Sequence, residues 1–378
     1  MSVTCMASRA APMMARAFLG LLVLPGTGLV QGLAAEPTLG QGTVFTADEE
    51  GGSISRIDLS SGEVRSISLP LTPHNVDVST GAGLVFVVGV GRATESQSGE
   101  SMGPMMDMDS AMATGDGHSP AAGTEESGGV LAVFDIEGMD RGPVAEIEVG
   151  HHPAHVVPDL NGERVFVTDS ETNIVSVIDL NSQEVVKTVA TGRYPHGLRL
   201  SPDGRELFVA NVEDGSVSVI DVASLTEAQR IPVGKTPVQV GFTPDGSRVY
   251  VSLRDEDAVA VIDRSSRRVT TKIPVGRRPI QVYVTPDGRS VYVANQGSDE
   301  DPDNRVSIID AASNQVTETL TVGAGAHGVA ISRDGRFAYV TNIKENSVSV
   351  IDTTTQTVVQ TVPVGRGPNG IAVFSGNL

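Results

Sequence analysis

Apolar and polar residues alternate in short runs along most of the chain, and the runs recur at a nearly fixed distance. The pattern V-[YF]-V-x-[ND], a polar turn, then V-S-V-I-D reads VFVTDSETNIVSVID from Val165, LFVANVEDGSVSVID from Leu207 and VYVSLRDEDAVAVID from Val249. It continues as VYVANQGSDEDPDNRVSIID from Val291 and AYVTNIKENSVSVID from Ala338. Weaker copies begin at Val44 (VFTADEEGGSISRID) and at Val85, where VFVVGVGR is separated from VLAVFD by an insertion. Period-two alternation rich in valine and isoleucine predicts strands. The closing aspartates, Asp58, Asp135, Asp179, Asp221, Asp263, Asp310 and Asp352, are spaced by 77, 44, 42, 42, 47 and 42 residues. Their side chains read as Asx caps of the turns that follow.

Residues 195–234 serve as a template for one unit. HGLRLS, the turn SPDG and RELFVAN give two strands, SVSVID a third, and EAQRIPVG a fourth. The proline presets φ and the glycine takes the left-handed position of the tight turn. First strands begin at Pro73, Pro153, Pro195, Pro237, Pro279 and Ala326, and the seventh unit is split. Its first strand (NGIAVF, after Pro368) is C-terminal, while its other three fall between residues 42 and 70. One such unit cannot bury both of its faces alone, so the array must stack. The fold predicted is all-β: a seven-bladed β-propeller of four-stranded antiparallel blades, closed by pairing the N- and C-terminal strands in one blade, which removes open edges.

The N-terminus qualifies this picture. Arg9 and Arg16 precede the apolar run AFLGLLVLPGTGLV and the small residues Gly32-Leu33-Ala34, the layout of a secretory signal peptide, here with Met13 or Met14 as a possible later start. The expected organisation is a signal peptide over 1–34, a linker over 35–41 and a propeller over 42–376, with an insertion over 91–128. The run is too short and too interrupted to span a bilayer, and no later segment resembles a transmembrane helix. Cys5 is the only cysteine and lacks a lipobox, so the mature chain has no disulfide, thiolate ligand or lipid anchor. A periplasmic or secreted monomer is expected. The formal net charge is −19, and loss of Arg9 and Arg16 makes it two charges more negative, which excludes a backbone-binding nucleic-acid protein. Much of that charge sits in turns, including Asp48-Glu49-Glu50, Glu213-Asp214 and Asp255-Glu256-Asp257. These read as solvated residues; calcium or another divalent cation is the alternative, without EF-hand spacing.

The repeats resemble the YVTN family of seven-bladed β-propellers, whose eponymous tetrapeptide stands at Tyr339–Asn342, with a match over residues 42–376. The resemblance implies an extracytoplasmic or surface-associated protein. Distant relatives of that fold include lactonases, streptogramin lyases and metal-dependent oxidoreductases. A propeller is a platform, so function has to be argued from a site.

Two departures from the repeat carry candidate chemistry. Met102, Met105, Met106, Met108 and Met112, with His118, lie in the 91–128 insertion, which is otherwise small, polar and acidic. Methionines there gain nothing as core filler, whereas thioethers are soft ligands suited to Cu(I). Second, His74, His196 and His327 follow the first residue of an innermost strand, and His155 lies two residues after Pro153. These four are the candidate metal ligands, with His151 and His152 auxiliary. Val238, Ile280 and Asn369 hold the matching position in other units. Innermost strands line the channel, so the imidazoles converge on one mouth. His155 is one residue out of step, an offset that turns it to the opposite face of a regular strand. Strand connectivity puts the insertion on the same side of the disc as the histidines. Arg193, Arg277 and Arg366, with Asn369, are candidates to orient an anionic ligand; the arginines, like Lys235 and Arg278, could instead pair with the acidic turns.

Three readings follow. The first is a propeller binding a transition metal, most naturally copper, at the histidine-lined mouth. The second is a non-enzymic scaffold for an extracytoplasmic protein or cell-envelope partner. The third is a lactonase- or lyase-like enzyme using histidine with a divalent cation.

Overall fold

The computed structural model describes residues 39–92 and 128–376; the expected signal peptide and the body of the Met-rich insertion lie outside them. Seven four-stranded antiparallel sheets follow one another round a ring. The innermost strands are Leu71–Ser79, Pro153–Pro158, Pro195–Leu200, Pro237–Phe242, Pro279–Val284, Ala326–Ile331 and Pro368–Phe374, for blades 1 to 7 in that order. Each contacts the next, and the seventh contacts the first. Blade 7 is the split one: Pro368–Phe374 pairs with Thr43–Asp48, placing Thr43 opposite Phe374 and Thr46 opposite Ile371.

The apolar alternation explains why the ring coheres. Buried side chains form seven clusters, each spanning two adjacent blades. The aromatic residue of V-[YF]-V anchors every one: Phe45, Phe86, Phe166, Phe208, Tyr250, Tyr292 and Tyr339 are buried in the interface with the following blade. Each such side chain is worth about 1.5–3 kcal/mol of apolar transfer. The outermost strands add little to these clusters, Val189 and Val362 being examples, and Glu184–Ala190 and Thr357–Pro363 are otherwise largely exposed.

One irregularity recurs at the channel. Near its start each innermost strand carries a β-bulge against its partner, between Pro153 and Val156 in blade 2 and between Pro195 and Leu198 in blade 3. Where blade 2 bulges, the Thr168 hydroxyl accepts the His155 N–H at 3.0 Å and donates to the His196 carbonyl of blade 3 at 2.7 Å. Ser252 links Gln239 N–H to the Ile280 carbonyl in the same way, and Thr341 links Gly328 N–H to the Asn369 carbonyl. The fourth residue of the second-strand repeat therefore stitches neighbouring blades beside the channel.

The fifth residue caps the third strand. Asn211 and Asn342 each donate through Nδ2 to two serine hydroxyls five and seven residues on. Blade 7 has Asp48 there, accepting from Ser53, Ser55 and Thr46. Burial outweighs those hydrogen bonds and pushes the Asp48 carboxyl up to about 6 from 3.8. Because the folded state then binds the proton more tightly, this residue favours folding in acid and the benefit is lost as pH rises through about 6. Asp48→Asn should therefore raise stability at pH 7.5 by about 2 kcal/mol, and the gain should vanish toward pH 4. Chemical denaturation at the two pH values checks it; a destabilised variant at pH 7.5 would refute the burial argument.

Candidate functional site

The bulge decides which side chains reach the channel. It places two successive residues at the mouth, so both His196 (one after its proline) and His155 (two after) arrive there, and the expected opposite-face placement of His155 is corrected. His74, His155 and His196, from blades 1, 2 and 3, each offer a ring nitrogen within 4.8 Å of the other two. Ring centroids are 5.5 Å apart for His74 and His196, 4.7 Å for His155 and His196, and 6.0 Å for His74 and His155.

Hydrogen-bond partners assign the tautomers. His196 Nδ1 faces the Val238 carbonyl at 3.4 Å, so it carries the proton and Nε2 carries a lone pair. His74 Nδ1 lies 3.3 Å from Glu49 Oε1, where a carboxylate is the better acceptor. The two Nε2 atoms then face each other across 3.4 Å. Ring nitrogens facing each other at this distance are bridged by a shared proton or by a metal cation. Gln239 accepts the Val240 N–H through Oε1 at 2.9 Å, so its amide nitrogen donates to His155 Nδ1 at 3.4 Å.

Glu49 was read in the sequence as one solvated turn acid among many, and it is instead a site residue. Its Oε2 accepts from Asn369 Nδ2, which also lies 3.3 Å from His74 Nδ1. Burial acts to raise its pKa, but the charge and hydrogen bond of His74, with the Asn369 amide, hold the carboxyl below the usual range. A carboxylate behind an imidazole Nδ1 fixes the tautomer that offers Nε2 to a metal. The position alone, in the blade 7 turn next to the mouth, was the available signal.

The other candidates divide. His327 is buried near the group but outside the triad, with Nδ1 3.2 Å from the Asn369 carbonyl. Asn369 is part of the mouth. His151 and His152 direct their backbone N–H groups at Asp169, at 3.1 and 3.2 Å. Arg193 pairs with Asp214 at 2.7 Å, Arg277 pairs with Asp301 and Asp303, and Arg366 donates to the Glu50 carbonyl. Met102, Met105, Met106, Met108, Met112 and His118 lie outside the described residues. The two ends of their segment are described, and Gly91 N–H donates to the Gly128 carbonyl while Arg92 N–H donates to Pro70, just before the strand that carries His74.

Burial pushes the His155 and His196 imidazoles well below 6.5, and neighbouring histidines add to the effect. Burial, then His74, takes His327 down to about 4. His152 is lowered by burial and by His74. Neutral imidazoles are the ligating form.

A seven-bladed β-propeller with a histidine-lined axial mouth is the class that fold and site define. The chain belongs to the YNCE-like beta-propeller family, whose model matches residues 143–377. Among solved structures it is similar to Kuenenia stuttgartiensis hydrazine synthase, at 20% identity and a TM-score of 0.63 over 82% of this chain and 92% of that one. A functionally unknown protein from Desulfotomaculum acetoxidans matches at 14% identity and 0.68, over 89% and 100% of the two chains. Dihydro-heme d1 dehydrogenase NirN, in complex with DHE, matches at 14% and 0.60, over 89% and 76%. At these identities the likeness is one of fold. No curated protein matches the chain. Among the described residues no helix is long and apolar enough to cross a membrane.

The depressed histidines set a pH dependence for the metal-free protein. Unfolded imidazoles take up protons near 6.5 while the buried ones stay neutral, so stability is full above 6.5 and declines as pH falls toward about 4. His327→Gln should remove up to about 3 kcal/mol of that acid loss. Melting temperatures between pH 7.5 and 4 check it: equal slopes in wild type and variant would mean that His327 is not the group responsible.

Proposed function

We propose that this protein binds a transition metal, copper before others, at the mouth of its channel, and that it does so outside the cytoplasm. The observation that carries the reading is the convergence of three imidazoles from three blades, with ligand atoms all within 4.8 Å. Ligands on separate rigid strands are preorganised. Histidine nitrogen suits copper, zinc, nickel or iron, and the five methionines of the 91–128 segment favour Cu(I) among them. The signal-peptide layout of the N-terminus supports the location.

His74 and His196 would ligate through Nε2, with Glu49 behind His74 and the Val238 carbonyl behind His196. His155 needs one adjustment. Coordination through its Nε2 moves the proton to Nδ1, and the Gln239 amide must turn its oxygen there, giving up the bond from Val240 N–H. A bound copper would supply Lewis acidity or one-electron chemistry at this mouth.

Mature protein should bind about one Cu(I) with an affinity measurable by chelator competition. His74→Ala and His196→Ala should each abolish tight binding, Glu49→Gln should weaken it about 10–100-fold, and His327→Ala should leave it within a few-fold. Binding should persist below pH 6.5, because burial keeps His155 and His196 neutral there. Absence of tight binding for Cu(I), Cu(II) and Zn(II), or binding indifferent to both alanine variants, would sink the reading.

A further inference from the structure

Below the bulge the innermost strands return to ordinary alternation, and two residues further on they present Asp77 in blade 1, Arg199 in blade 3 and Tyr283 in blade 5. None of these blades is adjacent to another in the set, so their contacts cross the channel. Arg199 Nη1 donates to Asp77 Oδ2 at 3.5 Å, and the guanidinium lies 5.9 Å from the centre of the Tyr283 ring. Gly241, Ala330 and Ala372 hold the same level in three other blades and occupy little space.

The donors at this level outnumber their partners. A guanidinium has five N–H groups, and among the described residues Arg199 makes no hydrogen bond besides the long one to Asp77. A closed charge-assisted pair would be near 2.7–2.9 Å. Asp77 bears the same mark: burial raises its pKa, and the Arg199 charge offsets only part of that. The Tyr283 hydroxyl has no partner among the described residues. Neither has the Gln281 amide, although the residue is only 3% exposed. Gln281 stands where Gln239 and His155 stand in their blades, and those two meet across the channel. Burial raises the Tyr283 pKa, so its hydroxyl stays a proton donor at neutral pH.

We propose that the channel beneath the histidines is a binding site for a small planar oxyanion, of the carboxylate or nitrate class, held by Arg199, Tyr283 and Gln281. Arg199 offers paired N–H donors of the spacing that planar oxyanions accept, with Asp77 contacting the guanidinium through Nη1 alone. Tyr283 supplies the platform beneath the cation and an O–H, and the Gln281 amide supplies a further donor that has no protein partner among the described residues. Arg199 stands three residues after His196 on the same innermost strand, so the bound anion would lie beneath the histidine mouth. The site goes beyond the metal reading and stands without it.

The test uses the metal-free mature chain, with sodium formate and sodium nitrate as separate probes, titrated by calorimetry at constant ionic strength against chloride. At least one probe should saturate at one equivalent, and the stronger of the two names the class. Arg199→Gln should weaken that binding about tenfold or more, and Tyr283→Phe and Gln281→Leu each severalfold. Circular dichroism and melting confirm that the variants fold; should Arg199→Gln fail to, the other two carry the test. Saturation by neither probe overturns the proposal, as does equal affinity in wild type and all folded variants. Metal content is measured on the same preparations reconstituted with copper. A protein that takes the anion but no metal upholds this site and defeats only the metal reading.

Discussion

Ring closure in blade 7 is the constraint on which the rest depends. Pro368–Phe374 and Thr43–Asp48 belong to opposite ends of the chain, and their pairing places blade 7 between blades 6 and 1. Two of the seven apolar clusters need that blade, one through Tyr339 and one through Phe45. An open ring would leave both half made and expose two sheet edges. The same pairing assembles the mouth, because Glu49 comes from the N-terminal share of blade 7, Asn369 from the C-terminal share, and His74 from the neighbouring blade. Their contacts span 320 and 295 residues of sequence. The Asn369 amide that holds the carboxylate behind His74 therefore arrives only in the closed form, and the chemistry of the mouth and the stability of the fold are coupled.

Within the closed ring the β-bulge does the aiming. A regular strand would send alternate residues to opposite faces, so a blade could offer the mouth one side chain per two residues. The bulge inserts an extra residue and turns two neighbours inward, which is why blade 2 can contribute His155 from a position where blade 3 has Gly197. The Thr168 hydroxyl fixes both sides of the arrangement at once, through His155 N–H and the His196 carbonyl. Two of the three imidazoles are thereby tied to one hydroxyl, and their relative placement does not rely on loops.

The repeats made the fold legible because each level of pattern agreed: alternation gave strands, the aspartate spacing gave units, and the split seventh unit gave closure. The site was legible in part. His74 and His196 stand out against Val238 and Ile280 at the matching position, and His155 against the glycines and glutamines at its own. The side to which His155 turns could not be read, since a bulge leaves no mark in the alternation. Glu49 was hidden for a different reason: it shares its acidic turn with Asp48 and Glu50, and only the fold singles out the one acid that meets His74. The Asp77, Arg199 and Tyr283 set was invisible because each lies in a different blade, and only the ring brings non-adjacent blades together. Arg193 and Arg277, candidates either to orient a ligand or to pair with the acidic turns, pair with the carboxylates of those turns.

The dimensions of the mouth discriminate between coordination geometries. Tetrahedral coordination with metal–nitrogen bonds of about 2.0–2.1 Å places two ligand nitrogens about 3.4 Å apart. His74 Nε2 and His196 Nε2 are separated by 3.4 Å. Linear two-coordinate binding at similar bond lengths needs about 4 Å, so it would have to push the pair apart against Glu49 on one side and the Val238 carbonyl on the other. On the proposed metal reading the pair would form a bent site with room for a further ligand, the third ring nitrogen being within 4.8 Å. His155 is the residue that has to move. Its ring makes one side-chain hydrogen bond, to the Gln239 amide, while its backbone stays pinned to Thr168. Closing the site then requires an imidazole rotation and an amide turn within the second level of the channel, not a shift of blades. Burial of the His155 and His196 rings opposes their protonation, and a metal on neutral nitrogen would bring a positive charge for Glu49 to balance.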